Sequence, residues 1–437
     1  MYFCISFEPE HADMHAATQD SAASAAPFPP GFIPSRHGAR RDEARKLLGA
    51  LSRVTRGAEP SPQRWREIGE ALMRGDAPMD RLVEWMFAEG MERTRPLFER
   101  ALERGIAAVP EAPGELRAFF DLVERRPDWV DLERVAAGAR ITDRGGMDYF
   151  FVNRDLSLMG GYQASAFNKT LLLTGALQKG PVRRVAETAQ WFLDCTAPGG
   201  MERFGIGFKS TLRVRLIHAL VRRHVQRLPQ WRMAEWGLPV NQIDMAATAL
   251  AFPMIMLLGG RAFGILPTPR ESLAAMHHGR YVAWLMGVEE QWLPHSEAAA
   301  RKLLYELSLS ITNPDATSVQ LGQALMDEPL HRAYRRLPAW QGRYQRARHL
   351  SVSSLFLSRE ARRGLGLPAN SLPWYPLLRL PWNLLRHTLA RLVPGGTARL
   401  ERRGRQAVID FLHQMTGDAQ QNVGHSARQL TEGAAPR

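Results

Sequence analysis

The sequence predicts an all-α protein, on three observations. From Asp42 onward apolar residues recur three and four apart, as in Ala44, Leu47, Leu48 and Leu51 or in Leu82, Trp85 and Met86, the period of a helix with one buried face. The strict alternation that marks a half-buried strand is hard to find. Breakers rich in Gly, Pro and Asn separate the periodic stretches at residues 110–114, 197–200, 228–231, 237–239, 259–269 and 313–316.

Taken in order, residues 1–35 are rich in Ala, Ser and Pro without a period and are expected to form a flexible arm. Residues 36–415 are expected to fold as a single helical domain, and the small, polar residues 416–437 to be a disordered tail. The longest uncharged apolar run, 245–260, contains Pro253 and falls short of the ~20 residues of a membrane span, so a buried helix is expected there. Residues 372–396 differ from the rest. Pro373, Pro376 and Pro381 interrupt a Leu/Trp/Tyr-rich stretch that also carries Arg379, Arg386, His387 and Arg391. Three roles suit it: peripheral contact with a membrane surface, closure over an apolar pocket, or plain packing on the body.

With 437 residues, 45% hydrophobic and 23% charged, the chain has the material for a large core, which excludes a disordered or collagen-like protein. Its 57 basic against 44 acidic residues give +13. The excess is almost wholly arginine, spread along the chain with acids among it, and no basic stripe with interleaved aromatics marks a nucleic-acid partner. Two cysteines, Cys4 and Cys195, exclude a disulfide framework, a Cys-based zinc site and an iron–sulfur cluster. Metal chemistry therefore falls to histidine. Residues 1–7 lack the basic and apolar regions of a secretory signal, so a cytoplasmic location, with possible membrane association, is the expectation.

One histidine stands out. His218 lies in a run without Gly or Pro from Lys209 to Val225, and a helical wheel puts Val214, Val221 and Val225 on one flank of it and Arg215 and Arg222 on the other. Imidazole for an iron, valines for a flat macrocycle and guanidinium groups for its carboxylates would suit a haem b. The alternative is a core histidine bonded to a backbone carbonyl, its arginines paired with buried acids. Zinc suits the chain less, since no HExxH-like spacing is present and the adjacent His277 and His278 point to different helix faces. Some thirty residues earlier, Arg184, Glu187, Thr188 and Trp191 share one helix face.

The ordered set Thr174-Gly-Ala, Arg184-x-x-Glu-Thr188, Trp191, Gly205-x-Gly207, Arg215-x-x-His218-x-x-x-Arg222, Trp231 and Gly237-Leu-Pro-Val-Asn-Gln-x-Asp244 resembles the latex clearing proteins, or rubber oxygenases, and the mycophenolic-acid-pathway oxygenases. The similarity runs from about Asp148 to Leu293 and more loosely over the flanking helices. It implies a globin-like helical core around one non-covalent haem b, with His218 as the proximal iron ligand and Arg215 and Arg222 as its flanking arginines. Arg184 and Thr188 match the distal Arg-x-x-Lys-Thr motif of latex clearing proteins. Two positions depart from the family: Glu187 stands in place of the lysine, and the catalytic glutamate of the preceding helix falls near Asn168.

The resemblance thus implies a haem-dependent oxygenase that uses dioxygen to cleave the C=C bond of an apolar alkene, with Glu187, Arg184 and Thr188 on the distal side. The absence of an export signal points away from solid polyisoprene and toward an isoprenoid or unsaturated lipid. Two other classes stay open: a haem-free helical protein that binds an apolar ligand or a membrane surface, and a haem peroxidase or oxygen-binding protein.

Overall fold

The structure is a computed structural model that describes residues 28–55, 59–175 and 180–416. Among them the all-α expectation holds, the one pairing of extended backbone being an isolated bridge between Ala164 and Asn313. The helices that build the site, numbered along the chain, are α1 (Ala77–Ala88), α2 (Leu132–Val152), α3 (Pro181–Thr196), α4 (Ile206–Val225), α5 (Gln242–Ala262), α6 (Pro269–Leu285), α7 (Pro338–Phe356), α8 (Trp374–Leu392) and α9 (Gly396–Thr416).

Helix starts fall where side chains satisfy the unpaired backbone N–H groups. Asp131 caps α2, Asn241 accepts from the N–H groups of Ile243 and Asp244 at the start of α5, and Thr268 and Glu271 form a reciprocal capping box on α6 with Pro269 at its first position. The apolar run 245–260 is a helix, as expected, but its turn at Ala251–Ile255 is widened to π geometry around Pro253. Proline has no N–H to donate and its ring crowds the preceding carbonyl, so the turn loosens there. The prolines of 372–396 do less than their number predicts. Pro373 is the N-cap and Pro376 lies in the first turn, leaving only Pro381 inside a continuous α8.

Two further boundaries shift. The arm expected to reach residue 35 ends earlier, because Pro34 is buried, the Ser35 N–H donates to the Ala234 carbonyl, and Arg36 makes a buried ion pair with Asp244 at 2.8 Å. Residues 1–27 and 417–437, including the rest of the arm and nearly all of the expected tail, lie outside the described residues.

Helix α4 is buried on nearly all sides. Ile217, Val221 and Val225 face one apolar cluster, whereas Leu212, Val214, Leu216 and Leu220 face a second built on α1 and its neighbours. The single valine flank expected beside His218 is therefore divided between two cores. A helix enclosed in this way must dispose of its cations, and α4 does so by pairing them. Arg215 grips Asp76, the residue before α1, through Nε at 2.5 Å and Nη2 at 2.7 Å, and donates to the Leu285 carbonyl. Arg222 grips Asp80 of α1 at 2.7 Å and donates to the Val240 carbonyl at 2.6 Å. Burial pushes the Asp80 carboxyl up, against the pull of Arg222.

The segment 237–244 completes this hub. Val240 adopts a left-handed φ of 52°, a strained geometry for a β-branched residue, held in place by Arg222 on its carbonyl. Gln242 donates to the carbonyls of Gly75 and Gly287 and accepts from the Glu289 N–H, so one amide joins the loop before α1 to the end of α6.

On the opposite side, α2 runs between α6 and α9. Gly146 breaks the helical geometry of α2 with a φ of +52°, and Gly404 of α9 lies against it so closely that a Cβ on Gly404 would meet the Asp143 carbonyl oxygen at 2.0 Å. Beside this crossing Asp148 of α2 holds α8, accepting from Arg379 at 2.6 Å and from Asn383 at 2.8 Å.

Two substitutions test these supports. Gly404→Ala is expected to lower stability by about 2–3 kcal/mol, since the clash is with backbone on both sides, as read by thermal denaturation. Arg215→Met is expected to cost about 3–5 kcal/mol by stranding a buried Asp76, and the double variant Asp76→Leu/Arg215→Met to recover most of it.

Candidate functional site

His218 occupies the middle of α4 with 4% of its surface exposed. Burial, with the Arg222 guanidinium adding, pushes its pKa well below the usual histidine range. The imidazole is therefore neutral near pH 7, the form that binds a metal.

Its ring forms part of the wall of a cavity with about 780 Å³ of empty space, opening included. Helix α3 contributes Trp191, Phe192 and Cys195, α5 contributes Met245, Thr248, Phe252 and Met256, and α6 contributes His278, Val282 and Met286. The wall is overwhelmingly apolar. Trp191 is fixed by its indole N–H, which donates to the Thr211 hydroxyl at 3.1 Å. Phe192 and Phe252 approach from opposite helices, with ring centroids 6.3 Å apart.

A second and larger cavity, about 1130 Å³ with its opening, lies on another face of α5. Leu156, Phe167, Ile255, Leu304 and Phe356 line it, and Thr248 and Phe252 line both cavities. Two acceptor oxygens on residues of this second wall, Gln163 Oε1 and Asp244 Oδ1, are buried without a hydrogen-bond partner among the described residues.

The residues singled out in the sequence divide into two sets. His218 and Trp191 reach the first cavity. Arg215 and Arg222, expected to flank a cofactor and meet its carboxylates, do not line it and are engaged with Asp76 and Asp80; a buried guanidinium beside a buried carboxylate pairs with it. Arg184, Glu187 and Thr188 do not line it either. Arg184 and Thr188 continue the stripe of Trp191, Phe192 and Cys195 toward the start of α3, and Glu187 stands on its flank. Glu187 is buried, with Oε1 on Arg183 Nε at 2.9 Å and Oε2 without a hydrogen-bond partner among the described residues. Asn168 is fully buried and donates to the Tyr162 carbonyl and the Ser318 hydroxyl, a tie between segments.

Sequence reasoning missed His278. It is buried, lines the first cavity and donates from Nε2 to the Cys195 carbonyl at 3.0 Å. Its neighbour His277 turns away to accept the Asp131 N–H at 3.1 Å, as adjacency on a helix requires. The signal was the spacing of His278, Val282 and Met286, four apart on one face of α6 and its C-terminal cap. Among the described residues no group of three or more His, Cys, Asp or Glu side chains forms a metal cage; of the two histidines in the apolar wall, His278 is tied to the Cys195 carbonyl.

The comparisons agree with this architecture. Residues 150–391 match the family described as ER-bound oxygenase mpaB/B'/Rubber oxygenase, catalytic domain. The rubber oxygenase of Streptomyces sp. (strain K30) is 23% identical over 222 residues, 49% of this chain and 52% of that protein. The chain thus spans about half the length of that relative. In fold, the chain is similar to the structure of latex clearing protein LCP in the closed state, with a TM-score of 0.55 at 17% identity over 78% of this chain and 91% of that one. The match contains α3 to α7 entire and α8 but for its last residue, with both cavities' walls on α5 and the His218 helix inside it, and the chain belongs to the mpaB/rubber oxygenase catalytic-domain family.

Proposed function

We propose that this chain is a haem b-dependent oxygenase that uses dioxygen on an apolar alkene, of isoprenoid or unsaturated-lipid type, and cleaves its C=C bond. The observation that carries the proposal is His218, a neutral buried imidazole on the wall of an apolar cavity that borders a second apolar cavity. The residues present suit the cofactor. His218 would ligate the iron, and Trp191, Phe252, Met256 and Val282, on three helices around it, would pack on the macrocycle. Haem bound there supplies the activation of dioxygen.

The chain's own residues do the rest. The Met, Phe and Val side chains of the first cavity exclude water from the reacting centre. The larger cavity accepts the apolar substrate and presents it past Phe252 and Thr248, which belong to both walls. Arg215 and Arg222 act at one remove, fixing α4 and therefore the ring of His218. Glu187 lies outside both cavity walls; its Oε2, with Oε1 held by Arg183, is assigned a proton-accepting role at one remove from the substrate, beside Arg184 and Thr188 on α3.

An absorption spectrum of the purified, haem-supplemented protein tests the proposal. Expected is a haem b Soret band that is lost in His218→Ala; a colourless protein that takes up no haem would favour an apolar-ligand binding protein, and peroxidation of small donors without alkene cleavage would favour a peroxidase. Phe252→Trp, which narrows the passage, is expected to lower turnover of long alkenes about tenfold or more while the Soret band persists. Glu187→Gln is expected to bind haem normally and lose turnover, by about 10²-fold or more for a proton acceptor; full activity in that variant removes Glu187 from the chemistry.

A further inference from the structure

Helix α8 is inside out. Its polar residues face the protein: Asn383 is buried between Asp148 Oδ2 at 2.8 Å and the Phe263 carbonyl at 3.0 Å, Arg379 pairs with Asp148, and His387 is buried. Its apolar residues face outward. Leu377, Leu378, Trp382, Leu385, Leu389 and Leu392 recur at three and four and are 50–75% exposed, a stripe along a helix of roughly 28 Å.

The patch extends past both ends of the helix. At the start, Trp374 lies 6.1 Å from Tyr344, which stacks on Trp340, itself 64% exposed. At the other end Leu266, 49% exposed, gives its carbonyl to Arg391. A contiguous apolar surface of this kind marks an interaction site.

Charge names the partner. Residues 331–416 contain 16 arginines, no lysine and three acids, Glu360, Glu401 and Asp410, a balance of 16 − 3 = +13. The whole chain has 57 − 44 = +13, so the remaining 41 basic and 41 acidic residues cancel. Arginine is spread along the chain, but its excess is confined to the segment that bears the exposed stripe. Six of these arginines, Arg335, Arg336 and Arg343 around the start of α7 and Arg399, Arg402 and Arg403 on α9, are exposed and make no ion pair among the described residues. Outward leucines, a Trp/Tyr margin and unpaired arginines are the features of a helix lying in the interface of an anionic bilayer.

We infer that α8 and its aromatic margin dock the protein on an anionic lipid surface, with the exposed arginines of residues 331–416 supplying the attraction. The helix lies on the membrane rather than across it. Among the described residues one helix, α5, has the length and composition to cross, and 61% of its most apolar window is buried inside the molecule. The inference does not depend on haem or on turnover.

Flotation of the full chain with phosphatidylcholine vesicles, with and without phosphatidylglycerol, tests it. Expected is recovery with the anionic vesicles that falls as salt rises, and at least about tenfold less recovery for Leu378→Glu/Trp382→Glu/Leu385→Glu, whose thermal transition stays in place because the three side chains are exposed. The variant Arg399→Glu/Arg402→Glu/Arg403→Glu is expected to lose the preference for anionic over neutral vesicles, again by about tenfold or more. Absence of the wild-type chain from the floating fraction, or equal recovery of wild type and the triple Glu variant of α8, overturns the inference. So does sedimentation velocity showing a dimer that the α8 variant abolishes while vesicles bind neither protein, for then a second copy covers the stripe.

Discussion

The two guanidinium–carboxylate pairs between α4 and α1, Arg215 with Asp76 and Arg222 with Asp80, are the constraint from which the site follows. A helix carrying a histidine into an apolar interior has to be enclosed, and enclosure forbids unpaired cations. By meeting acids at the N-cap and in the first turn of a single neighbouring helix, the arginines convert that prohibition into a fixed distance and rotation for α4. His218 is one turn from each. Its ring is aimed by charges that never touch the cavity.

This division of labour explains which parts of the site were legible in the sequence. The helix containing His218 was, because the run from Lys209 to Val225 carries neither Gly nor Pro. The jobs of the two arginines were not. A wheel reports which residues share a face and not what the face meets, and Asp76 and Asp80 lie well over a hundred residues away in sequence. His278 was hidden for a related reason. Beside His277 it reads only as half of a zinc pair that faces two ways, and its bond to the Cys195 carbonyl spans 83 residues of sequence.

The fold shows the same split. Helix positions followed from periodicity and breakers, and the 245–260 run is a helix as expected, with 61% of its most apolar window buried inside the molecule. Its widened turn was signalled by Pro253, but the fact that this helix divides two cavities was not, because a cavity belongs to several helices at once. In α8 the sequence was legible and ambiguous together. Its mixture of Leu, Trp and Tyr with basic residues was plain, yet composition alone does not say which side faces in, and one buried carboxylate, Asp148, settles that by claiming Arg379 and Asn383.

Asp148 also sets a clock. Its partner Arg379 follows it by 231 residues, and the close Gly146–Gly404 crossing joins α2 to the last helix of the described chain. At a synthesis rate of ~5–20 residues per second, α2 waits roughly 10 to 50 s for the residues that cover this side of it. Contacts of such long range are slow to close even once the chain is complete. The newly made protein therefore passes through a period in which α3 to α6 can assemble on α2 while its other face is bare, until α8 and α9 arrive to seal it.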